Sequence, residues 1–249
     1  MISARALVKK FGFQPVLRGL DLDIAAGEFV ALVGPNGTGK TTLLRILAGL
    51  LRPTFGEVIV GGRRLPHEAG GVRRRLGVVS HQPLLYTDLS AEENLRFYAR
   101  MYGLRQPAAR IAQVLDLVGL PARRRDPVRA FSRGMQQRLA IARAVLHDPE
   151  VMLFDEPHTG LDPDASDMLD GLLRDVAAHG RTVVMTTHDL ARSLSLAARV
   201  LILAGGKIAQ ATPTAGLTLP HLLATYEAVV QENLHGYSRV QPRSMEQAS

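Results

Sequence analysis

Residues Glu28–Thr41 read EFVALVGPNGTGKT, and the fold follows from how this stretch is read. Phe29–Val33 is a nearly continuous apolar run, the pattern of a strand buried on both faces in a parallel sheet. Gly34-Pro35-Asn36-Gly37-Thr38-Gly39-Lys40-Thr41 then matches G-x-x-x-x-G-K-[ST] in full. Glycines let successive backbone N–H groups wrap phosphate oxygens, and the N-terminus of the next helix adds positive potential. Lys40 then reaches the β- and γ-phosphates, and the Thr41 hydroxyl ligates Mg²⁺. Leu43, Leu44, Leu47 and Leu50 follow at helical spacing and predict a helix over Thr41–Leu50. A chance glycine turn would not fall between a buried strand and a helix, so the stretch reads as strand, phosphate loop, helix.

Further βα units lie on either side. Val151–Glu156 is four apolar residues ending in two carboxylates. Open α/β sheets bind ligands at the carboxyl edge of their strands, where such a pair suits metal chemistry. Asp155 would hold Mg²⁺, and Glu156 would orient and deprotonate an attacking water. Thr182–Thr187 is another buried strand and runs into His188. Leu76–Ser80 is a shorter one, followed by Gln82. A lone histidine or glutamine says little, but both fall at the strand edge that carries the loop and the acid pair. Asp162-Pro163 supplies a helix N-cap and a proline at the first helical position, with Gly180 as the C-terminal cap. A helix near Leu190–Ala198 and a strand at Val200–Ala204 complete the rhythm, which predicts a parallel α/β sheet. Ile2–Val8 and Leu20–Ile24 alternate instead, as a sheet with one wet face does.

Residues 83–148 differ in character. Ser90-Ala91-Glu92-Glu93 is a capping box opening a helix with Leu95, Tyr98, Ala99 and Tyr102 on one face. Ile111, Val114, Leu115 and Val118 repeat the helical spacing, and Ser132–Leu146 reads as a third, largely buried helix. The segment is an all-helical insert. Gly236–Ser249 is polar and reads as a frayed tail.

Composition excludes several classes. The 249 residues, 46% hydrophobic and 21% charged, are ordinary globular values. With no cysteine, disulfide scaffolds, Cys-based zinc sites, iron–sulfur clusters and thiol nucleophiles drop out. No apolar run nears the roughly 18 residues that span a bilayer, and Met1–Arg5 lacks the layout of a secretory leader. The net charge is +7. The basic residues are dispersed apart from Arg73-Arg74-Arg75 and Arg123-Arg124-Arg125, and neither run is interleaved with aromatics. They read as solvated surface before they read as a polyanion site.

Together these motifs resemble the ATP-binding subunit of an ABC transporter, from about residue 2 to 210. Gly34–Thr41 corresponds to Walker A, Val151–Glu156 to Walker B, Gln82 to the Q-loop glutamine, Thr159–Asp162 to the D-loop and His188 to the switch histidine. The signature is Phe131-Ser132-Arg133-Gly134-Met135-Gln136-Gln137-Arg138. The resemblance implies a P-loop NTPase core with an antiparallel β subdomain and the helical insert, together forming one ATP-binding domain over 1–235 with a tail at 236–249. It implies ATP hydrolysis with Mg²⁺. Glu156, His188 and Gln82 would be catalytic, and Thr41, Gln82 and Asp155 would serve the metal. Gly34 through Thr42 would hold the nucleotide, and Phe11 stands where the family stacks an aromatic on adenine. Ser132, Gly134 and Asp162 would complete the site of a second subunit, because two such domains bind head to tail. A homodimer, separate transmembrane permease subunits and a peripheral place on the cytoplasmic face of the membrane follow from the same resemblance.

The signature departs from Leu-Ser-Gly-Gly-Gln: Phe131 stands for Leu, Arg133 for the first Gly and Met135 for Gln. That version resembles exporter subunits. Arg133 is expected to point to solvent or to pair with an acid across the dimer. A finer resemblance, carried by Ser80–Tyr86, Ala91–Tyr98 and Asp155–Asp162, is to the heme exporter ATPases of bacterial cytochrome c maturation. Drug, lipid and polysaccharide exporters share much of these stretches. A nucleic-acid-associated ABC ATPase is the competing class. It lacks support here, since the chain carries neither zinc cysteines, a coiled-coil insert nor a second ATPase domain.

Overall fold

The computed structural model describes residues 1–80 and 82–238. His81, within the stretch 80–86 quoted above, and the tail from 239 onward lie outside the described residues. In chain order the elements are β1 (Ile2–Phe11), β2 (Gln14–Ile24), β3 (Phe29–Val33), α1 (Lys40–Leu47), β4 (Phe55–Val60), β5 (Arg63–Leu65), α2 (Ala69–Arg74) and β6 (Leu76–Val79). The helices α3 (Ala91–Met101), α4 (Pro107–Leu117) and α5 (Arg133–Val145) follow. Then come β7 (Val151–Asp155), α6 (Pro163–Ala178), β8 (Thr182–Thr186), α7 (Leu190–Leu196), β9 (Arg199–Ala204), β10 (Lys207–Pro213) and α8 (Leu219–Ser238).

Two sheets form. The larger has the order β10-β9-β3-β8-β7-β6. Its strands are parallel except β10, which closes one edge antiparallel to β9. The smaller, β2-β1-β4-β5, is antiparallel throughout. Successive residues of a strand point to opposite faces, and the central strands serve two cores. Val30, Leu32, Leu153 and Val184 face the small sheet and α1. Ala31, Val33, Met152, Phe154, Val183 and Met185 face the helices of the other layer. This is why β3, β7 and β8 read as unbroken apolar runs.

Caps set the helix limits. Ser90 and Glu93 form the expected capping box on α3, and Asp162 caps α6 with Pro163 at its first position. His179 ends α6, and Gly180 follows at φ 76°. Two helices end earlier than their apolar spacing predicts. α1 stops at Leu47 because Gly49, at φ 65°, turns the chain back and donates to the Ile46 carbonyl. Leu50 is therefore exposed and lies off the helical stripe. α7 stops at Leu196 because Ala197 is extended and the Ala198 amide donates to the Phe29 carbonyl, joining the sheet. Between β6 and β7 the chain is helical, with α3, α4 and α5 packed on one another. α8 runs through Gly236 to Ser238. Among the described residues no helix is long and apolar enough to cross a membrane.

Candidate active site

The carboxyl ends of β3, β7 and β8 lie side by side, so the residues that follow them converge. α1 starts with Gly39 in the left-handed region and with no side chain capping its first amides. Those amides are unpaired donors at a positive helix end, the geometry that fits a phosphate. Only glycine fits at 39, where a Cβ would stand 2.9 Å from Leu17 Cδ2. At Gly34 a Cβ would run into the Leu203 carbonyl. Lys40 is 6% exposed, and its ammonium donates to the Gly34 carbonyl at 2.7 Å and the Pro35 carbonyl at 3.1 Å. Burial lowers its pKa, against the pull of Glu156 and Asp155. Thr38 closes the loop through its hydroxyl on the Pro35 carbonyl. Asn36, Gly37 and Thr42 belong to the same loop and first turn.

Thr41 donates to Asp155 Oδ1 at 3.0 Å, across 114 residues of chain. A hydroxyl and a carboxylate this close form an all-oxygen set that suits Mg²⁺, which keeps several waters and needs few protein ligands. Asp155 Oδ1 also accepts from the Thr186 hydroxyl at 2.8 Å. Thr186 in turn accepts from the Glu156 amide at 2.9 Å. Glu156 sits at φ 49°, a strained value for a non-glycine residue of the kind found at functional sites. Its carboxylate accepts from the Thr159 hydroxyl at 3.2 Å and lies 3.7 Å from His188 Nδ1.

The structure thus brings together Gly34–Thr42, Asp155, Glu156 and His188. It does not bring the other expected residues to them. Gln82 is exposed, and its side chain makes no hydrogen bond to Thr41, Asp155 or Glu156 among the described residues; its carbonyl accepts from Ser80. Phe11 is 51% exposed under the Lys9 ammonium, 4.9 Å from the ring centroid, and is no part of the core. Ser132 caps α5 by accepting from the Met135 amide, and Asp162 accepts from the Ala165 amide. Gly134 packs near Ala165 at the start of α6.

Arg133 is exposed, one of the two placements expected for it. Its guanidinium lies against Gly160 of the same chain, where a Cβ would stand 2.5 Å from Cζ, and it makes no ion pair among the described residues. Glycine's missing side chain makes room for it, so the contact is with backbone. Arg133→Gly should therefore keep a substantial fraction of ATPase turnover. Complete loss in a variant that unfolds at the wild-type temperature would place Arg133 in the reacting site.

Reading the sequence alone missed Thr186, which links the Asp155 carboxylate to the Glu156 backbone amide. Its signal was a hydroxyl pair, Thr186-Thr187, ending an otherwise apolar strand.

A family model described as ABC transporter matches residues 17–159. The chain is 38% identical over 232 residues to Nod factor export ATP-binding protein I of Ralstonia nicotianae, covering 91% of this chain and 70% of that protein. It is 35% identical over 210 residues to linearmycin resistance ATP-binding protein LnrL of Bacillus subtilis, covering 84% and 68%. Among solved structures, an ATP-binding subunit of an ABC transporter superposes with a TM-score of 0.81 at 29% identity, covering 91% of this chain and 99% of that one. A dimeric ATP-binding cassette in a post-hydrolysis state, bound to ADP and Pi, superposes with a TM-score of 0.78 at 29% identity, covering 87% and 100%.

Proposed function

The chain belongs to the ABC transporter family as an ATP-hydrolysing subunit, and we propose that it is the motor of an exporter, working through a separate membrane-embedded permease. The observation that carries this reading is the set of contacts joining Thr41 to Asp155 and Glu156 to His188 beside the buried Lys40. Ser132 and Gly134 contact only the starts of α5 and α6, and make no hydrogen bond to that set among the described residues. Two copies placed head to tail would complete each other's sites, and the dimeric relative supports pairing of two copies.

In this reading Lys40 and the amides opening α1 hold the β- and γ-phosphates. Thr41 and Asp155 would hold Mg²⁺, which when bound offsets phosphate charge. Glu156 takes a proton from the attacking water, and His188 fixes the carboxylate's orientation from 3.7 Å. Gln82 reaches the metal only after its loop moves inward. Phe11 offers an open ring face for adenine once Lys9 gives way. Residues 1–235 act as one ATP-binding unit around the insert, peripheral to the membrane.

The grip on the permease lies beside Gln82. Leu84, Tyr86, Phe97, Met101 and Tyr102 are exposed there, and Tyr86 and Phe97 meet edge-on at 5.0 Å. Leu84 offers more surface than the nearby, partly buried Leu89. Closure around ATP would rotate this surface as a rigid body. Tyr86→Glu combined with Leu84→Glu should release the subunit from membranes and from its permease in a pull-down, with ATP affinity unchanged. Capture of the permease by that variant would move the contact elsewhere.

For cargo, relatives named for Nod factor export and linearmycin resistance support the drug, lipid or polysaccharide exporter reading. Heme rests on the three stretches named earlier and gains nothing from those relatives. Normal haem-stained cytochrome c in a deletion strain would support the first reading; loss of holo-cytochrome c with its apo-polypeptide intact would support the second. The positive charge favours no nucleic acid. In each arginine run two members are engaged: Arg73 with the Gly49 carbonyl, Arg75 with Glu150, Arg123 with Asp126 and Arg124 with Glu92.

A further inference from the structure

His158 stands two residues after Glu156, and its side chain is 11% exposed. Its Nε2 lies 2.7 Å from Asp170 Oδ1, a buried carboxylate on α6. The other oxygen of Asp170 accepts from Arg192 Nη1 at 2.5 Å. Arg192 belongs to α7, and its Nε lies 3.2 Å from Asp189 Oδ2. Asp189 caps α7 by accepting from the Arg192 amide at 3.0 Å, and it directly follows His188. A chain of four side chains thus runs from the residue beside the switch histidine to the segment behind Glu156. It crosses three elements distant in sequence. Three of its members, His158, Asp189 and Arg192, line the same cleft of about 310 Å³ as Glu156, Thr159 and His188.

The chemistry of the chain is definite. A carboxylate only accepts, so His158 donates from Nε2. Burial pushes the imidazole pKa down, which keeps it neutral against the partial opposition of Asp170. Nδ1 is buried and has no partner among the described residues. A buried carboxylate satisfied by both His158 and Arg192 holds α6, α7 and the loop after β7 at a fixed spacing.

We propose that His158, Asp170 and Arg192 are positioning residues that hold the His188 loop in register with Glu156, so that both reach the attacking water together. Among the described residues none of the three hydrogen-bonds to Gly34–Thr42. They act on turnover through the distance between Glu156 and His188, and a displacement of about 1 Å at such a site is enough to cost up to about 10²-fold. The inference rests on the roles given above to Glu156 and His188. Glu156→Gln tests those roles separately and leaves His158 untouched.

The test is steady-state ATPase kinetics on the full chain, with thermal unfolding measured on each variant. His158→Leu should lower kcat about tenfold and leave the KM for ATP within about twofold, as expected when positioning rather than binding is lost. His158→Gln, which returns an N–H donor near the Nε2 position, should recover most of that loss. Arg192→Gln, which breaks the chain at its more exposed end, should reproduce the fall in kcat and also serves if the leucine variant does not fold. Wild-type kcat in Arg192→Gln, or a glutamine variant at 158 no faster than the leucine variant, would overturn the proposal. So would a fall in kcat matched by an equal rise in KM.

Discussion

Glu156→Gln is expected to abolish most turnover while leaving ATP binding intact. Loss of a general base costs roughly 10²–10⁴-fold, and the amide cannot take the proton of the attacking water. The neighbours survive the change. The backbone amide of Glu156 still donates to Thr186, and Thr41 still meets Asp155. ATP should then trap the dimer, because both sites close and neither clears. The measurements are phosphate release and ATP-dependent dimerisation by size-exclusion chromatography. Wild-type turnover in the purified variant would remove Glu156 from its role. Loss of ATP binding would show that the carboxylate shapes the phosphate loop instead.

Lys40→Ala should act one step earlier. In the nucleotide-free chain the Lys40 ammonium is satisfied by the Gly34 and Pro35 carbonyls. Phosphate oxygens would take over those donors and bring charge to a buried cation whose pKa burial has lowered. Hydrogen bonds to charged groups contribute about 1.5–3 kcal/mol, so losing one should weaken ATP binding roughly 10- to 150-fold. Calorimetry measures this directly. Turnover at saturating ATP would fall as well, but the two variants remain distinguishable: one binds and cannot hydrolyse, the other binds poorly. Unchanged affinity would show that the α1 amides carry the phosphates without the side chain.

Much of the site was legible because its parts are local. The glycine loop, Lys40 and Thr41 lie within eight consecutive positions, and each residue type there serves one geometric need. The strands β3, β7 and β8 announced themselves because burial on both faces keeps their central positions apolar. The caps Ser90 and Asp162 were readable because a cap is a contact within three residues. Elements with weaker patterns were not foreseen: β4, β5, α2, β10 and α8 alternate poorly or combine glycine with charge, and their order comes from neighbours.

What the sequence determined by itself was the inventory: a phosphate loop, an acid pair at a strand end, a helical insert, and through them the family. What only the tertiary structure decided was which distant residues meet. Asp155 faces Thr186 because β7 and β8 pair in a register that sets those two opposite each other. Arg133 lies on Gly160, and His158 joins Asp170 and Arg192, because α5, α6 and α7 pack on one face of the sheet. Such contacts join residues 12 to 31 positions apart. Spacing along a chain encodes periodicity and caps, whereas register between strands and the stacking of helices depend on how all the buried surfaces fit at once.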